Sequence, residues 1–151
     1  MANTQAICTS FKTEVLDGIH ALGTSVVRAG TGADTVKAAL YLASATVNAA
    51  TTAYSATGEV SGSGYSAGGV TVTNATPPSA SGTTAIWTPS ASIVYTTVTL
   101  TTSFDAVLLY NSTQGDKAIS VHTFGAQTIT AGTFTLTMPT HDASNALIRI
   151  A

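Results

Sequence analysis

Gly64-Tyr65-Ser66-Ala67-Gly68 satisfies the Gly-x-Ser-x-Gly pattern in which a sharp turn lifts a serine hydroxyl into position as a nucleophile. Asp105 or Asp116, and then His122 or His141, follow it in the Ser, Asp, His order of the α/β-hydrolases. That chemistry needs a strand before the serine and a helix after it, yet Gly69 to Asn74 reads as a strand. The same stretch matches Gly-x-Gly-x-x-Ala through Gly62, Gly64 and Ala67, a phosphate-cradling turn that also requires a following helix. What remains is a glycine-rich loop in which Gly58, Gly62, Gly64, Gly68 and Gly69 permit sharp turns and Tyr65 anchors by packing. No catalytic and no cofactor-binding residue is assigned, and the chain is read as a non-enzyme.

The remaining ionisable residues are scattered. His20, His122 and His141 fall on a predicted helix, a strand and a loop, and a metal would need them to converge with a carboxylate such as Asp142, so no metal site is expected. Glu14 and Asp17 are expected on the exposed side of the helix. Glu59 stands alone and is expected to bind loop amides or the cation of a neighbouring chain. The lone Cys8 can close no disulfide within the chain and offers no zinc spacing. With a net charge of −2 and isolated Lys and Arg residues, the chain has no basic stripe for phosphates, so no nucleic-acid partner is expected.

Around these residues the chain is poor in charge. Only 8% of its 151 residues are charged, against roughly 25% in an ordinary soluble domain, so Thr, Ser, Gly and Ala must face the solvent. Weak charge also favours association between copies. No stretch approaches the ~18 apolar residues of a membrane span, and the first residues lack a signal-peptide pattern; synthesis in the host cytoplasm without membrane insertion is expected.

Phe11, Val15, Ile19 and Leu22 recur at helical spacing, predicting a short helix over Ser10–Leu22, with Ser10 as its cap, Gly23 as its end and Gly18 as a weak point inside it. The helix either packs on the sheet or forms an arm that docks on a neighbouring subunit. After Gly30, strands are predicted at Thr35–Leu42, Val70–Asn74, Thr83–Trp87, Ile93–Thr102, Ala106–Asn111, Lys117–Phe124, Gln127–Thr130, Thr133–Met138 and Ala146–Ile150. The clearest is Thr133–Met138, where Phe134, Leu136 and Met138 alternate with three threonines. Asn111–Asp116 and Ala131-Gly132 read as hairpin turns. Val94, Val98 and Leu100 are expected on one face of their strand and Ile93 and Tyr95 on the other. The expectation is one domain: an N-terminal helix or arm over 1–30, then an antiparallel β-sandwich or jelly-roll-like barrel over 31–151.

Several segments carry a resemblance. They are Cys8-Thr9-Ser10-Phe11-Lys12 with Glu14, Val36–Tyr41, Thr51–Ser55 leading into Gly58–Gly69, Ala106–Thr113 and Ala146–Ala151. In this order they resemble a widespread group of small tailed-bacteriophage virion proteins, across nearly the whole chain. The chain departs from that group at Ala85-Ile86-Trp87-Thr88-Pro89, where members carry an acidic stretch, so no contact is carried over there.

The resemblance implies a structural protein of the virion. With the small β-rich domain and low charge, the leading expectation is a capsid decoration or cement protein on the capsid surface. It would bind the major capsid protein, or other virion proteins, as a homo-oligomer, with a trimer favoured. The alternatives are a tail-, neck- or fibre-associated virion protein, or a glycan- or receptor-binding module presenting Trp87, Tyr65 or Tyr95. Expected interface contacts are Phe11, Glu59, Tyr65, Trp87 and Tyr95.

Overall fold

Alternating apolar and hydroxylated residues, the dominant pattern of the second half of the chain, become sheet in the computed structural model, which describes residues 2–16, 18–22 and 32–151. Among the described residues the strands are β1 (Ala6–Ile7), β2 (Val36–Leu42), β3 (Val70–Thr71), β4 (Ser79–Ser81), β5 (Thr84–Trp87), β6 (Ile93–Asn111), β7 (Lys117–Leu136) and β8 (Ile148–Ile150), with one helix, α1 (Thr9–Leu16), between β1 and β2. One sheet has five strands in the order β1-β7-β6-β2-β3 and the other has three, β4-β5-β8. Every pairing is antiparallel, so the chain is an all-β, sandwich-like protein with a short N-terminal helix. Trp87 and Ile148 of the smaller sheet join the same buried cluster as Leu40, Leu108 and Ile119 of the larger one.

The hairpin β6–β7 dominates. Its strands run 19 and 20 residues, where separate strands were expected either side of Ser103 and on β7. Ala131-Gly132 is therefore no turn: β7 passes through it, and Gly132 faces Val98. The only turn of this hairpin is the one expected between Asn111 and Lys117. Continuity is kept by paired irregularities. Leu100 faces Ile129 and Phe104 faces Gln127, so β6 takes four steps to the two of β7; from Phe104 to Ala106 the imbalance reverses, because Ala106 faces Thr123.

A smaller pair of bulges corrects the expected faces of β6. Thr97 has φ 53°, adding one residue to β6 between Tyr95 and Val98, and Ala131 has φ 47° on the opposite strand. The extra residue turns Val98 and Leu100 inward with Ile93 and Tyr95, while Val94 is left 40% exposed. Strict alternation through Thr97 would have placed them on opposite faces.

The helix is shorter than its periodicity implies. It ends before Gly18, whose φ of 69° is the left-handed conformation that glycine adopts without strain. Gly18 N donates to Val15 O at 3.1 Å and Ile19 N to Glu14 O at 2.9 Å, the two bonds of a Schellman cap. Gly18 is thus the stop, not an interior defect, and the expected stop at Gly23 lies outside the described residues. Ser10 is inside the helix instead of capping it, and its buried hydroxyl has no hydrogen-bond partner among the described residues. Phe11 is buried but Val15 is exposed, and Leu22 reaches the core from the segment after the cap. The N-terminal segment lies on its own chain: β1 adds to the edge of β7, and the buried Cys8 donates its N–H to Ile119 O at 3.0 Å.

Candidate functional site

The glycine-rich loop is laid flat on the large sheet. Leu42 N donates to Gly58 O at 2.9 Å, Val60 N to Leu40 O at 3.0 Å and Thr99 N to Ser63 O at 2.8 Å, so the loop bridges β2 and β6 by backbone bonds. Approach this close excludes side chains. A Cβ on Gly69, which has φ 69°, would run into the Ala38 carbonyl, and one on Gly64 into the Thr97 carbonyl.

Beneath the loop lies Glu59. It accepts the Tyr54 hydroxyl at 2.6 Å on one oxygen, and the Tyr65 hydroxyl at 2.7 Å and the Gly68 N–H at 2.8 Å on the other. The expected bond to a loop amide is present, joined by the hydroxyls of Tyr54, which sequence reasoning did not single out, and of Tyr65, which was expected to anchor by packing. Tyr65 also accepts Leu40 N at 3.0 Å, Tyr110 donates to Gly68 O at 2.7 Å, Tyr95 to Ala38 O at 2.8 Å and Tyr41 to Ser55 O at 2.5 Å. Rings stack as Tyr54 on Tyr110 and Tyr65 on Tyr95, with centroids 4.8 and 5.9 Å apart. Four of the chain's five tyrosines thus bond this loop or the segment leading into it, and the fifth, Tyr95, bonds β2 and meets the loop through its ring contact with Tyr65. Burial, reinforced by the Glu59 carboxylate, raises the phenols of Tyr54, Tyr65 and Tyr95 above the ordinary tyrosine value, and burial pushes Tyr110 up to about 12. Neutral phenols are what the site needs, because each donates a proton to a bond.

A second polar cluster joins the helix to the β6–β7 turn. Glu14, expected on the solvent side, is buried, accepting Lys117 Nζ at 2.7 Å and pairing with His20 Nε2 at 2.7 Å. Asn111 Nδ2 lies 3.0 Å from His20 Nδ1 and donates to Asp34 Oδ2 at 2.7 Å, while Ala21 N and Gln114 Nε2 also donate to Asp34. With Nδ1 accepting from the Asn111 amide, the bonds assign the His20 proton to Nε2, facing Glu14. Burial alone would raise the Glu14 carboxyl, but the hydrogen bonds from Lys117 and His20 and the charge of Lys117 outweigh it and hold it below the ordinary carboxylate value. The helix spacing gave no hint of this inward Glu14.

The other candidates separate. Ser66 is exposed, and the short strand β3 follows it, with no helix. His122 Nε2 bonds the Ser120 hydroxyl at 2.9 Å and His141 Nε2 the Ser79 hydroxyl at 2.9 Å, so neither imidazole has Ser66 as its partner. Burial lowers His122 to about 4. Among the described residues no three His, Cys, Asp or Glu side chains cluster as metal ligands, and no helix is long and apolar enough to cross a membrane.

Of the expected interface contacts, Phe11, Trp87 and Tyr95 are only 1, 2 and 2% exposed and fill the chain's own core. Trp87 Nε1 is bound to Asn74 Oδ1 at 2.9 Å and Tyr95 is held as above, so neither offers a free face. Glu59 and Tyr65 are half-buried and engaged with one another. The site is therefore a clamp: groups capable of acid–base chemistry are consumed in fastening a loop to a sheet. No protein-family model, curated protein or solved structure matches the chain.

Proposed function

We propose that the chain is a non-enzymatic structural subunit of a tailed-bacteriophage particle, a capsid decoration protein that binds the major capsid protein at the head surface. The observation that supports this reading is the fate of the chemically capable residues. Glu59 with its tyrosines, and Glu14 with His20 and Lys117, are spent inside the fold, while threonine dominates what faces outward on β6 and β7. A rigid, weakly charged surface suits a protein that works by lying on others, since binding the assembled shell and not its dissociated parts shifts the equilibrium towards the shell. The resemblance carried by Cys8–Lys12 with Glu14, Val36–Tyr41, Thr51–Ser55 leading into Gly58–Gly69, Ala106–Thr113 and Ala146–Ala151 supports the same reading; these segments supply Tyr41, Tyr54, Glu59, Tyr65 and Tyr110 of the first polar cluster and Glu14 and Asn111 of the second.

The expected aromatic platform of a glycan-binding module has no support, with Trp87 and Tyr95 buried and Tyr65 stacked on Tyr95. Quantitative gels of purified particles test the proposal: the chain should approach the abundance of the major capsid protein, and density for it should lie on the head. A few copies per particle with density at the neck or tail would assign it there instead, and absence from particles would reject the virion reading.

A further inference from the structure

The hairpin β6–β7 is covered unequally along its two edges. On the β6 side, β2 pairs with Phe104–Asn111 and the glycine-rich loop meets Thr99 through Ser63. On the β7 side, among the described residues, the only strand partner is β1, which meets Ser120 and Val121. From Thr123 to Leu136 that edge has no strand beside it among the described residues, and no residue of this span is buried.

Edges of this length are usually blunted by charge, proline or strong distortion, because their unpaired N–H and C=O groups otherwise capture another strand. Here no Lys, Arg, Asp or Glu occurs between Ile93 and Phe104 or between Thr123 and Thr140, and the one proline in these two spans is Pro139, beyond the end of β7. The bulge at Ala131 distorts the middle of the edge, but beyond it the ladder is regular, with Ile93, Val94 and Tyr95 facing Leu136, Thr135 and Phe134. The inward side chains of this distal part, Ile93 and Tyr95, are buried in the chain's own core, so what stays open there is the outer edge of β7.

The geometry points to a second copy of this chain as the missing strand, paired antiparallel through the free β7 edge over Thr133–Leu136 about a two-fold axis normal to the sheet. A two-fold placed at Phe134 or Thr135 sets outward threonines against outward threonines and inward Phe134 against its own equivalent or against Leu136, continuing the sheet from one copy into the next. The absence of charge removes the like-charge cost that self-pairing of identical edges ordinarily carries, and cross-strand Thr–Thr pairs are favourable. Phe134 and Leu136, half-buried in one copy, gain cover from the other. Such a pair closes at two copies, in place of the three-fold assembly favoured from sequence.

The inference concerns the isolated protein and is independent of the virion reading, which particle composition decides. Sedimentation equilibrium of the full chain should give a dimer. The double variant T133K/T135K places lysine against lysine in either register and should weaken the dimer about tenfold or more, with far-UV dichroism unchanged. Mixing it with T133E/T135E should restore a mixed dimer. Native hydrogen exchange of the unmodified protein should show protection of β7 amides between Thr133 and Leu136 that rises with protein concentration. A wild-type monomer at every concentration would overturn the inference, as would a dimer indifferent to these charges or exchange independent of concentration.

Discussion

Glu14 and Glu59 are two carboxylates withdrawn from solvent in one small domain, and they are satisfied by opposite means. Glu59 accepts hydrogen bonds from two neutral phenols and a backbone amide, with no cation bonded to it among the described residues. Glu14 is held by Lys117 and by the His20 ring. The difference follows from what each must fasten. The glycine-rich loop needs many short, directional bonds spread along its length, which tyrosine hydroxyls on rigid rings supply at low entropic cost. The helix needs one attachment to the β6–β7 turn, and a single ion pair backed by an amide network provides it.

The largest effect is expected from removing Glu59. Glu59→Ala strands two hydroxyl donors and an amide at roughly 1–3 kcal/mol each, incompletely additive, and should lower the unfolding free energy by about 4 kcal/mol in urea titration. Glu59→Gln, which turns an amide donor onto one of those donors, should lose about half as much; wild-type stability for that variant would show that the clamp does not depend on the carboxylate. Gly69→Ala comes next, at about 3 kcal/mol, since the new methyl meets the Ala38 carbonyl at a positive φ; the readout is the same titration.

Glu14→Gln should cost about 2 kcal/mol, because Lys117, partly exposed, can recover water. It also sharpens the comparison through pH. The folded-state value of Glu14 is lowered, so its stabilisation is complete above the ordinary carboxylate value and is lost as pH falls through the folded one. The variant should therefore show a flatter acid limb in melting temperature against pH.

The tyrosines act at the other end. Their folded-state values are raised, so their contribution is complete below about pH 10 and is lost as pH rises and the unfolded chain ionises first. Tyrosinate absorbance should rise cooperatively with unfolding, not gradually from the folded protein. The smallest effect belongs to Ser66→Ala, expected within about 0.5 kcal/mol of wild type. Esterase turnover that this change abolished would replace the clamp with an active site.

What could be read in advance follows from how local each feature is. The alternation in Thr133–Met138 was legible because inward Phe134 and Leu136 and outward threonines differ in kind at every step, and burial follows that pattern. The reversal of faces at Thr97 was not, since a left-handed threonine in a threonine-rich run leaves no glycine to mark the bulge. Breaks at Ser103 and Gly125 read as strand ends because a bulge that one strand introduces is cancelled only by its partner, which is information held elsewhere in the chain. The glycine-rich loop was recognised, but the meeting of Tyr41, Tyr54, Tyr65, Tyr95 and Tyr110 around it depends on tertiary pairing. Glu14 was misplaced for the same reason: Lys117, its cation, is distant in sequence.

Cys8 is the one sulfhydryl in the chain, sealed between β1 and α1, and burial, with the charge of Glu14 adding to it, pushes its ionisation up to about 11. In the closed state it is shielded and almost wholly un-ionised near neutrality, hence inert to alkylating reagents. Its labelling rate becomes a built-in clock for how often the N-terminal strand peels away, readable without changing any residue of the chain.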